Sequence, residues 1–162
     1  MPPLEAVAEV DLDRFMGDWY VIACTPTFLD DDAYNAVESY RRGDDNRVET
    51  TYTFNKAGFD GAVKTFRPTG FVKEGTGNAI WGMRFVWPFK ADYRIVHLDD
   101  EYETTIIGRA KRDMFWIMAR EPSIDTARYK ALLEQVEATG YDLSELREVP
   151  QQPLAERRPR QP

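Results

Sequence analysis

Few side chains in this chain are equipped for chemistry. Its 162 residues include one histidine, His97, and one cysteine, Cys24. A single Cys excludes an intrachain disulfide, and a single His removes every His-rich metal site and any second histidine for a relay. A Ser-His-Asp or Cys-His arrangement would need His97 beside a nucleophile, and no G-x-S-x-G elbow presents one. Neither a G-x-G-x-x-G nor a G-x-x-x-x-G-K-[ST] loop occurs, so no phosphate cradle is visible. Asp30-Asp31-Asp32 could bind a cation but lacks the spaced ligands of a calcium loop, and is expected to be solvated. His97, close to a turn, is expected at the surface or in a structural hydrogen bond. What remains for acid–base work is a set of tyrosines and Glu38. The inventory favours binding over catalysis.

The scaffold follows from composition and pattern. Hydrophobic residues make up 43% and aromatics 13%, enough for a packed core, which excludes a disordered chain. The formal net charge of −7 argues against a sequence-independent grip on nucleic acid or anionic headgroups. No apolar run reaches the ~18 residues of a transmembrane helix. One domain over residues 1–152 is expected, followed by a Pro/Arg-rich tail at 153–162 read as disordered. Met1-Pro2-Pro3-Leu4-Glu5 has no basic and apolar leader. The expectation is cytoplasmic for the sequence as it stands, or periplasm or outer membrane if an export signal has been removed.

Turn signals such as Gly43-Asp44-Asp45-Asn46, Asn55-Lys56-Ala57-Gly58 and Gly75-Thr76-Gly77-Asn78 separate short stretches rich in Val, Ile, Thr, Tyr, Phe and Trp. These predict eight strands at 18–25, 35–43, 47–55, 62–72, 79–87, 92–98, 102–110 and 113–120. Links this short predict an all-β antiparallel meander. One segment is helical in pattern: Tyr129, Leu132, Leu133 and Val136 share a face between Ser123, the expected N-cap, and Gly140, so a helix is predicted over 123–139. A strand-like piece follows near 143–149. Met114/Trp116/Met118 and Phe115/Ile117 make both faces of one strand apolar. That suits a strand with a lumen on one side and a helix on the other, so an eight-stranded up-and-down β-barrel is expected over a two-sheet sandwich.

Three motifs then carry a family resemblance. Gly17-Asp18-Trp19-Tyr20 resembles the G-x-W opening of the lipocalins. Tyr93-Arg94-Ile95-Val96-His97-Leu98-Asp99-Asp100-Glu101-Tyr102 resembles their second signature, and Phe115-Trp116-Ile117-Met118-Ala119-Arg120 their third. Order, spacing and the following helix agree over roughly residues 8–152, nearest the bacterial lipocalin and apolipoprotein D branch. The resemblance implies that Trp19 plugs a closed barrel end beneath Arg120 in a cation–π contact, Gly17 opening the strand. All three are structural, not catalytic.

Alternation anchored on these motifs assigns the lumen. Counting from Trp19 puts Val21 and Ala23 inside and Cys24 outside; counting back from Arg120 puts Met118, Trp116 and Met114 inside. Matching family positions imply Tyr40, Tyr52, Met83, Phe85, Tyr93, Ile95 and Ile106 as further lining. Glu38 falls inward by alternation; it could bind a cationic headgroup or repel a carboxylate, and is expected to snorkel outward. The expected function is carriage or storage of a small hydrophobic molecule, a fatty acid, lysophospholipid or similar lipid, by a non-enzyme needing no cofactor or metal. Burying ~14 methylenes contributes roughly 11 kcal/mol, against an association cost of several kcal/mol, giving affinity on the order of micromolar. An isomerase or de-epoxidase on the same scaffold is the alternative from another class. A haem or tetrapyrrole binder is a third, with His97 or a Met as axial ligand. No nucleic-acid partner is expected, and a weak homodimer is compatible with the sequence.

Overall fold

The computed structural model describes residues 2–86 and 88–157. A four-residue helix α1 (Leu12–Phe15), capped by the Asp11 carboxylate, leads into β1 (Gly17–Cys24). Then follow β2 (Ala33–Arg42), β3 (Arg47–Lys56), β4 (Val63–Phe66), β5 (Thr69–Val72), β6 (Ile80–Val86), β7 (Phe89–Leu98), β8 (Thr104–Gly108) and β9 (Phe115–Ala119). Each pairs antiparallel with its neighbour, and β1 also pairs with β9, closing the barrel. The fourth predicted strand is two pieces. β4 and β5 both pair with β3 and are separated by Arg67-Pro68, where proline has no N–H for the ladder. Together they fill one wall position, giving eight.

Outside lies α2 (Thr126–Ala138), whose Leu132 and Val136 cover Ala23, Ile106, Phe115 and Ile117. The helix starts later than predicted: Asp125, not Ser123, is the N-cap, its side chain accepting from Arg128 N–H. Gly140, at φ +99°, ends it.

Register shifts interrupt the alternation that the sequence pattern assumes, and three of them bear on the site. In β1 the register shifts between Val21 and Ala23, in β2 between Tyr34 and Val37, and in β7 between Ile95 and His97. A bulge inserts one residue and reverses the faces beyond it. Ala23 therefore packs outside beneath α2 and Cys24 faces the inner core, the reverse of the expectation. Asn35, at φ +54°, is the left-handed residue of the β2 bulge.

The C-terminal segment engages these irregular places. β10 (Arg147–Glu148) pairs with β1, and Gln151 Nε2 donates to the carbonyls of Val21 and Ala36 at 2.8 and 2.9 Å. Asn35 and Gln152 exchange two hydrogen bonds of 2.8 Å. Residues 153–157, expected within a disordered tail, form a 3-10 turn at Leu154–Glu156 with Arg157 bonded back to Gln151 and Gln152. The rest of that expected tail, 158–162, lies outside the described residues.

Candidate functional site

The end of the barrel nearest α1 is sealed. Phe15, Trp19, Tyr40, Trp81 and Tyr93 make one aromatic cluster, with Phe15 at 5.2 Å from Trp19 and Trp81 stacked 4.5 Å from Tyr93. Trp19 and Trp81 are fully buried, and each indole N–H is satisfied, by Phe15 C=O at 2.9 Å and Asn78 C=O at 2.8 Å. The Arg120 guanidinium lies 3.8 Å from the Trp19 ring centroid. It donates to the carbonyls of Asp18, Arg14 and Tyr102. Gly17, at φ +95°, adopts a left-handed conformation that strains other residues and lies against this guanidinium.

Above this floor is a cavity of about 290 Å³, near the lower end of small-molecule sites. Met83, Met114, Trp116 and Met118 form much of its apolar wall. Tyr40, Tyr52 and Tyr93 also reach it, and Phe85 stands where it opens, 63% exposed. Two expected lining residues do not reach the wall. Ile95 is fully buried in the inner core, away from the cavity surface. Ile106 points outward under α2, and its neighbour Ile107 takes the lumenal place. The β7 bulge turns His97 outward, opposite Ile106, while Ile95 stands opposite Ile107. Pairing across the β8–β9 hairpin was the signal available: Ile107 sits opposite Trp116, and directly opposed residues share a face.

The polar groups of the cavity come mainly from β2, β3, β7 and the β1–β2 loop. Glu38 does not snorkel outward as expected. Its Oε2 accepts from Tyr40 O–H at 2.6 Å, and the Tyr40 and Tyr93 hydroxyls are 2.7 Å apart. With Glu38 ionised, the single Tyr40 proton goes to the carboxylate, so Tyr93 donates to Tyr40. Burial pushes the Glu38 carboxyl up to about 7, partly offset by that hydrogen bond and reinforced by the nearby Asp30 charge. Burial and the Glu38 charge push Tyr40 and Tyr93 well above the ordinary phenol range, so both stay protonated.

Asp30 also departs from expectation. It is 8% exposed, folded in from the loop between β1 and β2. Its Oδ1 accepts from Thr27 N–H and O–H at 2.7 and 2.9 Å, and its Oδ2 from Tyr52 O–H at 2.9 Å. Asp31 is exposed, and Asp32 pairs with Lys56 at 3.1 Å. The Thr27-x-x-Asp30 spacing is the one hint of this turn in the sequence. Arg109 also lines the cavity and pairs with Asp113 at 3.4 Å. His97 lies on the outer face, its Nδ1 3.2 Å from Gln135 Nε2 of α2, so it is not placed to ligate a group in the lumen. Among the described residues no group of three or more His, Cys, Asp or Glu is placed to hold a metal.

Comparison with known proteins agrees with this architecture. A family model described as a lipocalin-like domain matches residues 10–151. Temperature-induced lipocalin-1 of Arabidopsis thaliana is 27% identical over 154 residues, covering 91% of this chain and 83% of the relative. The outer membrane lipoprotein Blc of Escherichia coli K12 is 27% identical over 156 residues, covering 88% and 81%. Among solved structures, the cockroach allergen Per a 4 superposes with a TM-score of 0.67 at 21% identity, covering 91% of this chain and 92% of the other, a likeness of fold. With the family model spanning nearly the whole barrel, and Arg120 lying over Trp19 as the motifs imply, the chain belongs to the lipocalin family.

Proposed function

We propose that this lipocalin binds and carries a single-chain lipid, its alkyl chain in the cavity and its head toward Glu38 and Asp30. The lipocalin fold supports binding of small hydrophobic ligands in general. Fatty acids, lysophospholipids and similar lipids are the finer class expected from the sequence. One observation carries the reading: an apolar cavity lined by Met83, Met114, Trp116, Met118 and Ile107 above a sealed aromatic floor. Three methionines give a wall that adapts to chains of different length. A second reading, an enzyme acting on a lumenal substrate, draws on Glu38 titrating near neutrality beside Tyr40, and Glu38 would be its acid–base group.

Trp116 lies on the cavity wall and serves as reporter. Titration with dodecanol, which has no charge to complicate the result, is expected to give a saturable change in tryptophan emission, largely lost in Trp116→Phe. A linear, non-saturating response in the wild-type protein would overturn the carrier reading.

A further inference from the structure

The headgroup end of the cavity has an uneven charge inventory. Three acids line it, Asp30, Glu38 and Asp92, against one cation, Arg109. Asp92 is neutralised locally by Arg94 at 2.9 Å and by Ala110 N–H at 2.7 Å. Arg109 faces Asp113 at 3.4 Å, its Nε without a hydrogen-bond partner, and its Nη1 lies against Met114 Sδ at 3.4 Å. Asp30 and Glu38 have hydroxyl and backbone donors but no cation within ion-pair distance among the described residues. Asp30 spends both oxygens on Thr27 and Tyr52, whereas Glu38 spends only Oε2; Oε1 has no donor among the described residues. Glu38 lines the cavity with an acceptor to spare.

We propose that the cavity selects single-chain amphiphiles whose head is a cation or strong hydrogen-bond donor, an alkyl amine above all, and discriminates against free carboxylates, because Glu38 Oε1 and the Asp30 charge meet the head while the one lining cation, Arg109, faces Asp113. This rests on the carrier reading and narrows it. An ammonium head would supply the missing donor at Oε1 and give a carboxylate that now holds only the Tyr40 hydroxyl an ion-pair partner. A carboxylate head would bring a third negative charge beside two, in an environment with little water to screen it.

The selectivity depends on pH. Around Glu38 the titratable groups are Asp30 from the β1–β2 loop, Tyr40 on its own strand, Tyr52 on β3, Tyr93 on β7 and the Cys24 thiol on β1. The three tyrosines and Cys24 are all pushed upward and remain protonated near neutrality. Asp92 and Arg109 are held in their own pairs. Glu38, pushed up to about 7, is the group that changes charge between mildly acidic and mildly basic solution.

The test uses dodecylamine, dodecanoic acid and dodecanol on the full chain, with Trp116 emission as readout, at pH 5.5 and 8. At pH 8 the amine is expected to bind at least about tenfold more tightly than the acid, a difference of ~1.4 kcal/mol. That ratio should shrink at pH 5.5 and fall severalfold in Glu38→Gln, with uncharged dodecanol measured alongside as the reference for access to the cavity. An acid that binds as tightly as the amine at pH 8 would show Arg109, not Glu38, receiving the head, and overturns the proposal. A ratio unchanged in Glu38→Gln overturns it too. The wild-type ratio stands as a test even if that variant folds poorly. Failure of all three ligands, the neutral alcohol included, overturns the carrier reading itself and this proposal with it.

Discussion

The two ends of the barrel are built from similar residues to opposite effect. At the closed end, Phe15, Trp19, Tyr40, Trp81 and Tyr93 are packed ring on ring. Trp19 and Trp81 have their polar atoms satisfied, and Arg120 ties three separate chain segments together. At the other end, Phe28, Phe85, Val86 and Phe89 stand 63–86% exposed, and β4 pairs only with β3. The floor spends its aromatic surface on stability, while the rim leaves apolar groups in water. Between them lies a wall of sulfur and indole, with one carboxylate that folding alone would disfavour. Stability and ligand access are thereby assigned to different halves of one continuous sheet.

Removing the lock at the floor is the largest test of that division. Trp19→Ala should lose about 3–5 kcal/mol in denaturant melts, as large aromatic truncations in packed cores do. Arg120→Ala should lose less, and the double variant less than the sum, because each single change removes the same contact. Additive losses would show that the stacking contributes nothing of its own.

A smaller effect, of opposite sign, is expected at the cavity. Glu38 is pushed up from 4.5 to about 7 on folding, so the chain prefers it protonated. Its contribution is fully present below pH 4.5 and is lost as pH rises through about 7. Glu38→Gln, neutral at every pH, should therefore stabilise the protein at pH 8 by about 2–3 kcal/mol, with the gain vanishing near pH 4.5. Melts at the two pH values read this directly, and a destabilised variant at pH 8 would mean that the carboxylate belongs to the fold and not to the ligand.

The smallest pair sharpens the boundary between lumen and shell. Ile106→Trp should cost about 1–3 kcal/mol by overpacking beneath α2. Ile107→Trp has open volume to enter, so it should cost less while weakening dodecanol binding. Equal thermal shifts for the two would erase the distinction between the faces of β8.

What the sequence made legible was whatever depends on regular periods and local signals. The strands and the α2 helix follow from their hydrophobic periods and turn signals, the Met114/Trp116/Met118 face from alternation, and the Gly17–Trp19–Arg120 floor from the resemblance its motifs carry. What escaped it depends on single inserted residues. The bulge at Ile22–Ala23 sends Cys24 inside, although nothing in Ile or Ala marks a bulge. Asn35 alone carried a signal, being a residue that tolerates the left-handed conformation its bulge requires. Glu38 and Asp30 were misjudged for a different reason. Glu38 is held by Tyr40, two residues along its own strand, and Asp30 meets Tyr52 of β3 only because the β1–β2 loop folds inward, which no periodicity encodes.

The inward turn of Cys24 also sets the redox behaviour of the whole molecule. The thiol is 2% exposed, and burial pushes it up to about 12, so the nucleophilic thiolate is almost absent in the native state. A folded molecule therefore resists alkylation, oxidation to a sulfenic acid and disulfide exchange with a second copy. Each of these reactions must wait for the inner core around Cys24, where Asp30 and Tyr52 also lie, to open. Labelling of this one thiol thus proceeds at the pace of local opening, and the chain carries a native clock for the breathing of its own barrel interior.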